Sequence, residues 1–155
     1  MSIKIDIGSG KEPYGNGFLT VDPFADADIK AFMWELPFDD NTIDEIYSSH
    51  SLEHAEKNKV LPTLKEWHRV LKTGGKIILR VPDLIWCCNK FLEKKSDDWY
   101  LDILFGNQEH EGEFHKTGFW KERLYKLSEE AGFKVTNYEE IESHNQNTLS
   151  IELTK

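Results

Sequence analysis

The residue pattern predicts an α/β domain built on a mostly parallel, doubly wound sheet. Three observations carry that reading: strand-like and helix-like stretches alternate along most of the chain, one strand is apolar on both faces, and another stops at Gly8-Ser9-Gly10. Strands separated by helices pair in parallel, because a helical crossover returns the chain to the same end of the sheet. A strand apolar on both sides is one that helices cover on each face. A strand that halts at two glycines lets a ligand approach the backbone at the sheet edge, free of Cβ interference.

The first strand is expected at 3–7, where Ile3, Ile5 and Ile7 alternate with Lys4 and Asp6 as though one side were less buried. The second, at 18–22, ends on Asp22, placed so that its carboxylate can accept hydrogen bonds from two ribose hydroxyls. Only ten residues, Lys11 to Thr20, lie between Gly10 and Val21. A helical crossover usually needs a dozen or more, so the first crossover helix is expected to be shortened or absent. A homo-oligomer would then cover the sheet face left open. A third strand at 43–48 follows Leu36-Pro37-Phe38. The helix expected over 58–72 sets Val60, Leu61, Leu64, Trp67, Val70 and Leu71 on one stripe, tolerates Pro62 in its first turn, and stops at Gly74-Gly75. Ile77-Ile78-Leu79 makes 76–81 the central strand. Helices follow at 84–95 and 118–131, the latter with Thr117 as N-cap, Leu124 and Leu127 inward, and Gly132 as its left-handed terminator. The last strands, 134–140 and 148–154, are near enough in sequence to form a C-terminal antiparallel hairpin.

At 155 residues the chain is read as one domain, 1–155, with no room for a separate substrate domain. Its 19 basic and 28 acidic residues give a formal charge of −9 with no basic stripe, which argues against nucleic acid and anionic membranes as partners. The N-terminus enters a strand without a signal-peptide pattern, and no apolar run approaches the roughly 20 residues needed to span a bilayer, so a cytoplasmic protein is expected. Cys87 and Cys88 are adjacent, a spacing that neither chelates metal nor bridges distant segments.

Five pieces in order, Asp6-Ile7-Gly8-Ser9-Gly10, Asp22, Leu36 to Ile46, Ser48 to His54, and Glu66 to Leu79, resemble the class I S-adenosylmethionine-dependent methyltransferases of the small, type 11-like kind. The resemblance implies a Rossmann-like fold, S-adenosylmethionine as cofactor, and methyl transfer to a small-molecule or carbohydrate-like acceptor at oxygen. It further implies that Gly8 and Gly10 admit the methionine and ribose portions, that Asp6 supports the loop or the ligand amine, and that Asp22 holds the ribose diol. Ser9 and Ser49 belong to the same cofactor-binding edge, and Trp34, within Phe32-Met33-Trp34, is the residue assigned to the adenine ring. A nicotinamide dehydrogenase would carry Gly-x-Gly-x-x-Gly, and Pro13 stands against it. The non-enzymatic alternative is a degenerate module that binds cofactor without turnover.

Methyl transfer requires donor and acceptor held in line and, for an alcohol, removal of its proton. His50, at the end of the third strand, is the first choice for that base, since an ordinary imidazole with a pKa of about 6.5 is largely neutral near pH 7. His54 is read as bracing the following turn. His50 to His54 also fits the H-x-x-E-H pattern of inverted zinc peptidases, but there both histidines lie on one helix, whereas His50 follows a strand. Some methyltransferases acting on catechol-like quinone precursors hold a metal at this strand end, at the positions of His50, Glu53 and His54; with His in place of the first carboxylate, no metal is assigned. The stretch 105–119 is long for a connector, with three Gly and two His, and is expected to fold over the carboxyl edge as part of the acceptor pocket, offering Gln108, His110 and His115.

Overall fold

A computed structural model describes residues 2–10, 14–93, 98–143 and 146–155. Strands β1 (Lys4–Ile7), β2 (Phe18–Val21), β3 (Ile43–Ser49) and β4 (Leu71–Pro82) pair in parallel, and β5 (Lys134–Ser143) and β6 (Gln146–Thr154) add an antiparallel hairpin. The six-stranded order is β2-β1-β3-β4-β6-β5. This is the expected α/β architecture with its C-terminal hairpin. On the outer side of β2, a one-residue bridge from Val21 to Ile29 stands where a further strand would lie.

The core forms where the apolar faces of the sheet meet the stripe of helix α1 (Val60–Val70). Ile5, Ile43, Ile46, Ile77, Leu79 and Ile151 are fully buried with Leu64, Trp67 and Val70. Each such side chain contributes about 1.5–3 kcal/mol of transfer free energy. The indole N–H of Trp67 donates to the Met33 carbonyl at 2.9 Å, so the largest core side chain also fixes the segment leading to Leu36-Pro37.

Distant contacts move several helix ends. Helix α1 stops at Val70 rather than 72, because Leu71 is already extended and paired with Ile43. The Lys155 ammonium donates to the carbonyls of His68 and Leu71 at 2.6 and 2.8 Å, capping that terminus from the far end of the chain. Helix α2 (Leu84–Glu93) occupies its expected place, while 94–95 lie outside the described residues. A seven-residue helix, α3 (Trp99–Phe105), was not anticipated. Helix α4 (Lys121–Glu130) begins three residues later than expected, and its N-cap is Trp120 rather than Thr117. The buried Phe119 is pinned in a bridge to Asp83, and the Thr117 hydroxyl instead accepts from Arg123.

Among the described residues no helix lies between β1 and β2. Tyr14 takes over part of the cover: its ring stacks on Tyr47 with centroids 3.6 Å apart, and its amide donates to Asp6 Oδ2 at 2.8 Å. Asp6 is therefore buried, at 3 % exposure, which corrects the expectation of an open face at that position. Lys4, half-buried, pairs with Glu45 at 2.6 Å.

Candidate active site

The carboxyl ends of β1, β2 and β3 lie side by side, so the segments that follow them share one edge of the sheet. Gly8 takes φ 71° after β1, and a Cβ there would stand 2.3 Å from the Cβ of Ser51. The loop after β1 thus packs directly on the turn after β3. That turn is stitched to it: Ser51 Oγ donates to the Ile7 carbonyl at 3.0 Å and meets Ser48 Oγ at 2.5 Å. On the other side the loop is open. Gly10 has φ 55° with nothing within 4 Å of where a Cβ would be, and the buried Ser9 Oγ has no hydrogen-bond partner among the described residues. An orphaned hydroxyl beside a side-chain-free backbone fits a polar ligand lying along the loop.

Asp22 closes the loop from β2. Its Oδ1 accepts from the amides of Phe24 and Ala25, each at 2.8 Å, and its Oδ2 accepts from Gly10 N–H at 3.3 Å. One oxygen is thus spent on the local turn, and the other, held only by a long bond, keeps lone pairs for a ligand. Burial raises the Asp6 carboxyl above its ordinary range against the pull of the Tyr14 amide, with the nearby Asp22 adding to the rise.

His50 has φ 52°, a left-handed conformation uncommon for a non-glycine residue. Its amide donates to the Arg80 carbonyl at 2.9 Å, its Nε2 lies 3.3 Å from Thr148 Oγ1, and its Nδ1 lies 3.6 Å from Glu53 Oε1. Glu53, on a 3-10 turn at Leu52–His54, is buried at 1 % exposure. Burial opposes its ionisation, but the imidazole of His50, with His54 and His115, outweighs that and holds the carboxyl below its usual range. His115 reaches the same carboxylate, Nε2 to Oε1 at 4.0 Å; burial pushes its imidazole down in pKa while Glu53 pulls it up.

The structure thus brings His50 and His115 around Glu53, which the sequence placed only among possible metal positions beside His50 and His54. The remaining candidates lie elsewhere. His110 faces Phe24, ring centroids 5.8 Å apart, and its Nε2 pairs with Glu113 at 3.2 Å. Gln108 turns its amide back to the Phe105 carbonyl at 3.4 Å. Trp34 stacks on Phe32 at 4.9 Å, and Phe32 meets Phe24 edge-on at 6.2 Å. Trp34, Phe32, Phe24 and His110 therefore make a row of rings beside Asp22. Ser49, half-buried at the end of β3, precedes His50 directly.

Residues 15–79 match a family model described as a methyltransferase domain. No curated protein matches the chain in sequence. Among solved structures, the chain is similar to an S-adenosylmethionine-dependent methyltransferase from Archaeoglobus fulgidus, at 17 % identity and TM-score 0.70, covering 99 % of this chain and 86 % of that one. It is also similar to the 1,6-didemethyltoxoflavin-N1-methyltransferase of Burkholderia thailandensis, solved with 1,6-didemethyltoxoflavin and S-adenosylhomocysteine, at 14 % identity, TM-score 0.70, and 99 % and 71 % coverage. A Haloferax volcanii protein solved in complex with a methyltransferase activator aligns at 18 % identity, TM-score 0.69, and 99 % and 81 % coverage. The domain match, which begins after the Gly8–Gly10 loop, and the architecture shared along the chain together show the fold of the S-adenosylmethionine-dependent methyltransferases.

Proposed function

We propose that this chain transfers a methyl group from S-adenosylmethionine to a hydroxyl oxygen of a small-molecule or carbohydrate-like acceptor. The carrying observation is that Gly10 N–H reaches Asp22 Oδ2 on the same sheet edge where His50 sits against Glu53. The cofactor, when bound, supplies an electrophilic methyl on a sulfonium whose leaving group departs without needing a proton. Gly8, Ser9 and Gly10 line its methionine and ribose side, Asp22 Oδ2 accepts from a ribose hydroxyl, and the rings of Phe24, Phe32 and Trp34 offer an apolar wall for the base. Ser49 and the buried Asp6 hold the strand ends to either side.

His50 takes the acceptor's hydroxyl proton on Nε2. With Nδ1–H directed at Glu53, the imidazolium that results is stabilised by a carboxylate 3.6 Å away. His115, across Glu53 from His50, walls the acceptor pocket, and His110 borders it on the Phe24 side. The small acceptor is supported by the −9 charge, which repels polyanions, and by the heterocycle bound in the Burkholderia thailandensis neighbour.

The test is release of S-adenosylhomocysteine from S-adenosylmethionine over a panel of catechols, phenols and hexoses. With an acceptor in hand, His50→Ala is expected to lower turnover by about 10²–10⁴-fold while leaving the affinity for S-adenosylhomocysteine unchanged. Unaltered turnover in that variant would remove His50 as the base.

A further inference from the structure

We infer that Glu53, His54 and His115 form a divalent-cation site of the zinc class, with an open coordination position facing a small cavity beside α2 and α3. Each of the three offers one ligand atom, and these atoms lie within 4.8 Å of one another. The grouping joins two segments far apart in sequence, the turn after β3 and the end of the 105–119 connector.

His54 Nδ1 lies 3.2 Å from the Phe114 carbonyl and His115 Nδ1 lies 2.8 Å from the Ile103 carbonyl. A carbonyl only accepts, so each Nδ1 carries a proton, which leaves the Nε2 of each ring as the nitrogen that can face a cation. Between these rings sits Glu53, whose two oxygens are buried and have no hydrogen-bond partner among the described residues. Two imidazole nitrogens and a buried carboxylate thus converge, with His50 Nδ1 no nearer than 3.6 Å to that carboxylate, an arrangement that is costly unless a cation fills it.

A divalent cation satisfies all three groups at once. Two imidazole nitrogens and one carboxylate are the donor set of three-ligand zinc sites that keep a fourth position open. Ligating histidines characteristically donate their second N–H to a backbone carbonyl, which fixes the tautomer and the ring plane, and both rings do so here. Glu53 and His115 also line a small cavity of about 20 Å³ walled by Leu84, Ile103 and Leu104. The open position therefore faces a space able to hold a single water. His50 stays outside the donor set, 39 % exposed, with its Nδ1 turned to Glu53.

Cation binding requires neither methyl donor nor acceptor, so its failure and the failure of the methyl-transfer reading are separately observable. The full chain, stripped with chelator, is titrated with Zn²⁺ by calorimetry and with Co²⁺ by visible absorption. One equivalent of Zn²⁺ is expected to bind, and Co²⁺ is expected to give the visible bands of a low-coordinate site. His54→Ala and His115→Ala should each weaken binding by at least about 10–100-fold, the loss typical of merely removing a residue behind a ligand, while His110→Ala leaves it unchanged. His115→Gln, which keeps much of the bulk, serves if the alanine variant does not fold. No stoichiometric binding to the wild type, or binding retained when both His54 and His115 are replaced, would overturn the site.

Discussion

Gly8 answers two constraints at once, a left-handed φ of 71° and a Cβ position 2.3 Å from the Cβ of Ser51. Gly8→Ala is expected to destabilise the fold by about 1–3 kcal/mol through strain and overpacking together, read as a lowered Tm. An unchanged Tm would mean that the Ser51 turn yields freely. The residues legible in the sequence, Gly8, Gly10, Asp22 and His50, mark the ends of strands, where local pattern and position in the sheet coincide. Glu53 was not legible as the centre of the site, because its importance comes from the convergence of His50, His54 and His115 on one buried carboxylate. His110 and His115 share a connector but part company, since the 3-10 turn at Glu111–Glu113 separates them and sends one toward Phe24 and the other toward Glu53.

At the scale of elements, α1 is tied to the Leu36-Pro37-Phe38 segment by Arg69. Its guanidinium bonds Glu66, Asp40 and the Phe38 carbonyl at 2.7–2.8 Å, and Glu66 Oε1 also accepts from the Leu36 amide at 2.8 Å. Arg69 beside it, aided by the Leu36 amide and opposed by partial burial, holds the Glu66 carboxyl below its ordinary range. A carboxyl depressed in the folded state adds stability above its unfolded pKa of about 4.3 and loses it as pH falls through the folded value. Glu66→Gln should therefore lower Tm at pH 7, and the gap to wild type should close in acid. A gap of the same size at pH 3 would deny the clamp its electrostatic part. Strand positions were readable because alternation and turn residues are local signals. The helix ends were not: Lys155 and the Asp83–Phe119 bridge act from far along the chain, and α3 is too short to show a stripe.

Across the whole molecule, with no helix between β1 and β2 among the described residues, Tyr14 and Leu19 are exposed near those strands, and Phe24 and Phe32 are exposed beside Asp22. Apolar groups gathered this way favour a covering partner, and a second copy of the chain is the expected one. Light scattering should report a dimer or larger species; a monomer at every accessible concentration would show that Tyr14 and Tyr47 suffice as cover. Among the described residues no helix is long and apolar enough to cross a membrane. The central claim is that the Gly8–Gly10 loop and Asp22 form the cofactor site, and calorimetric titration of S-adenosylhomocysteine into wild type and Asp22→Ala tests it most directly. Saturable 1:1 binding to wild type is expected, weakened in the variant by about 1.5–3 kcal/mol through loss of charge-assisted contacts. Absence of heat with S-adenosylhomocysteine, or equal affinity in the two proteins, would contradict it.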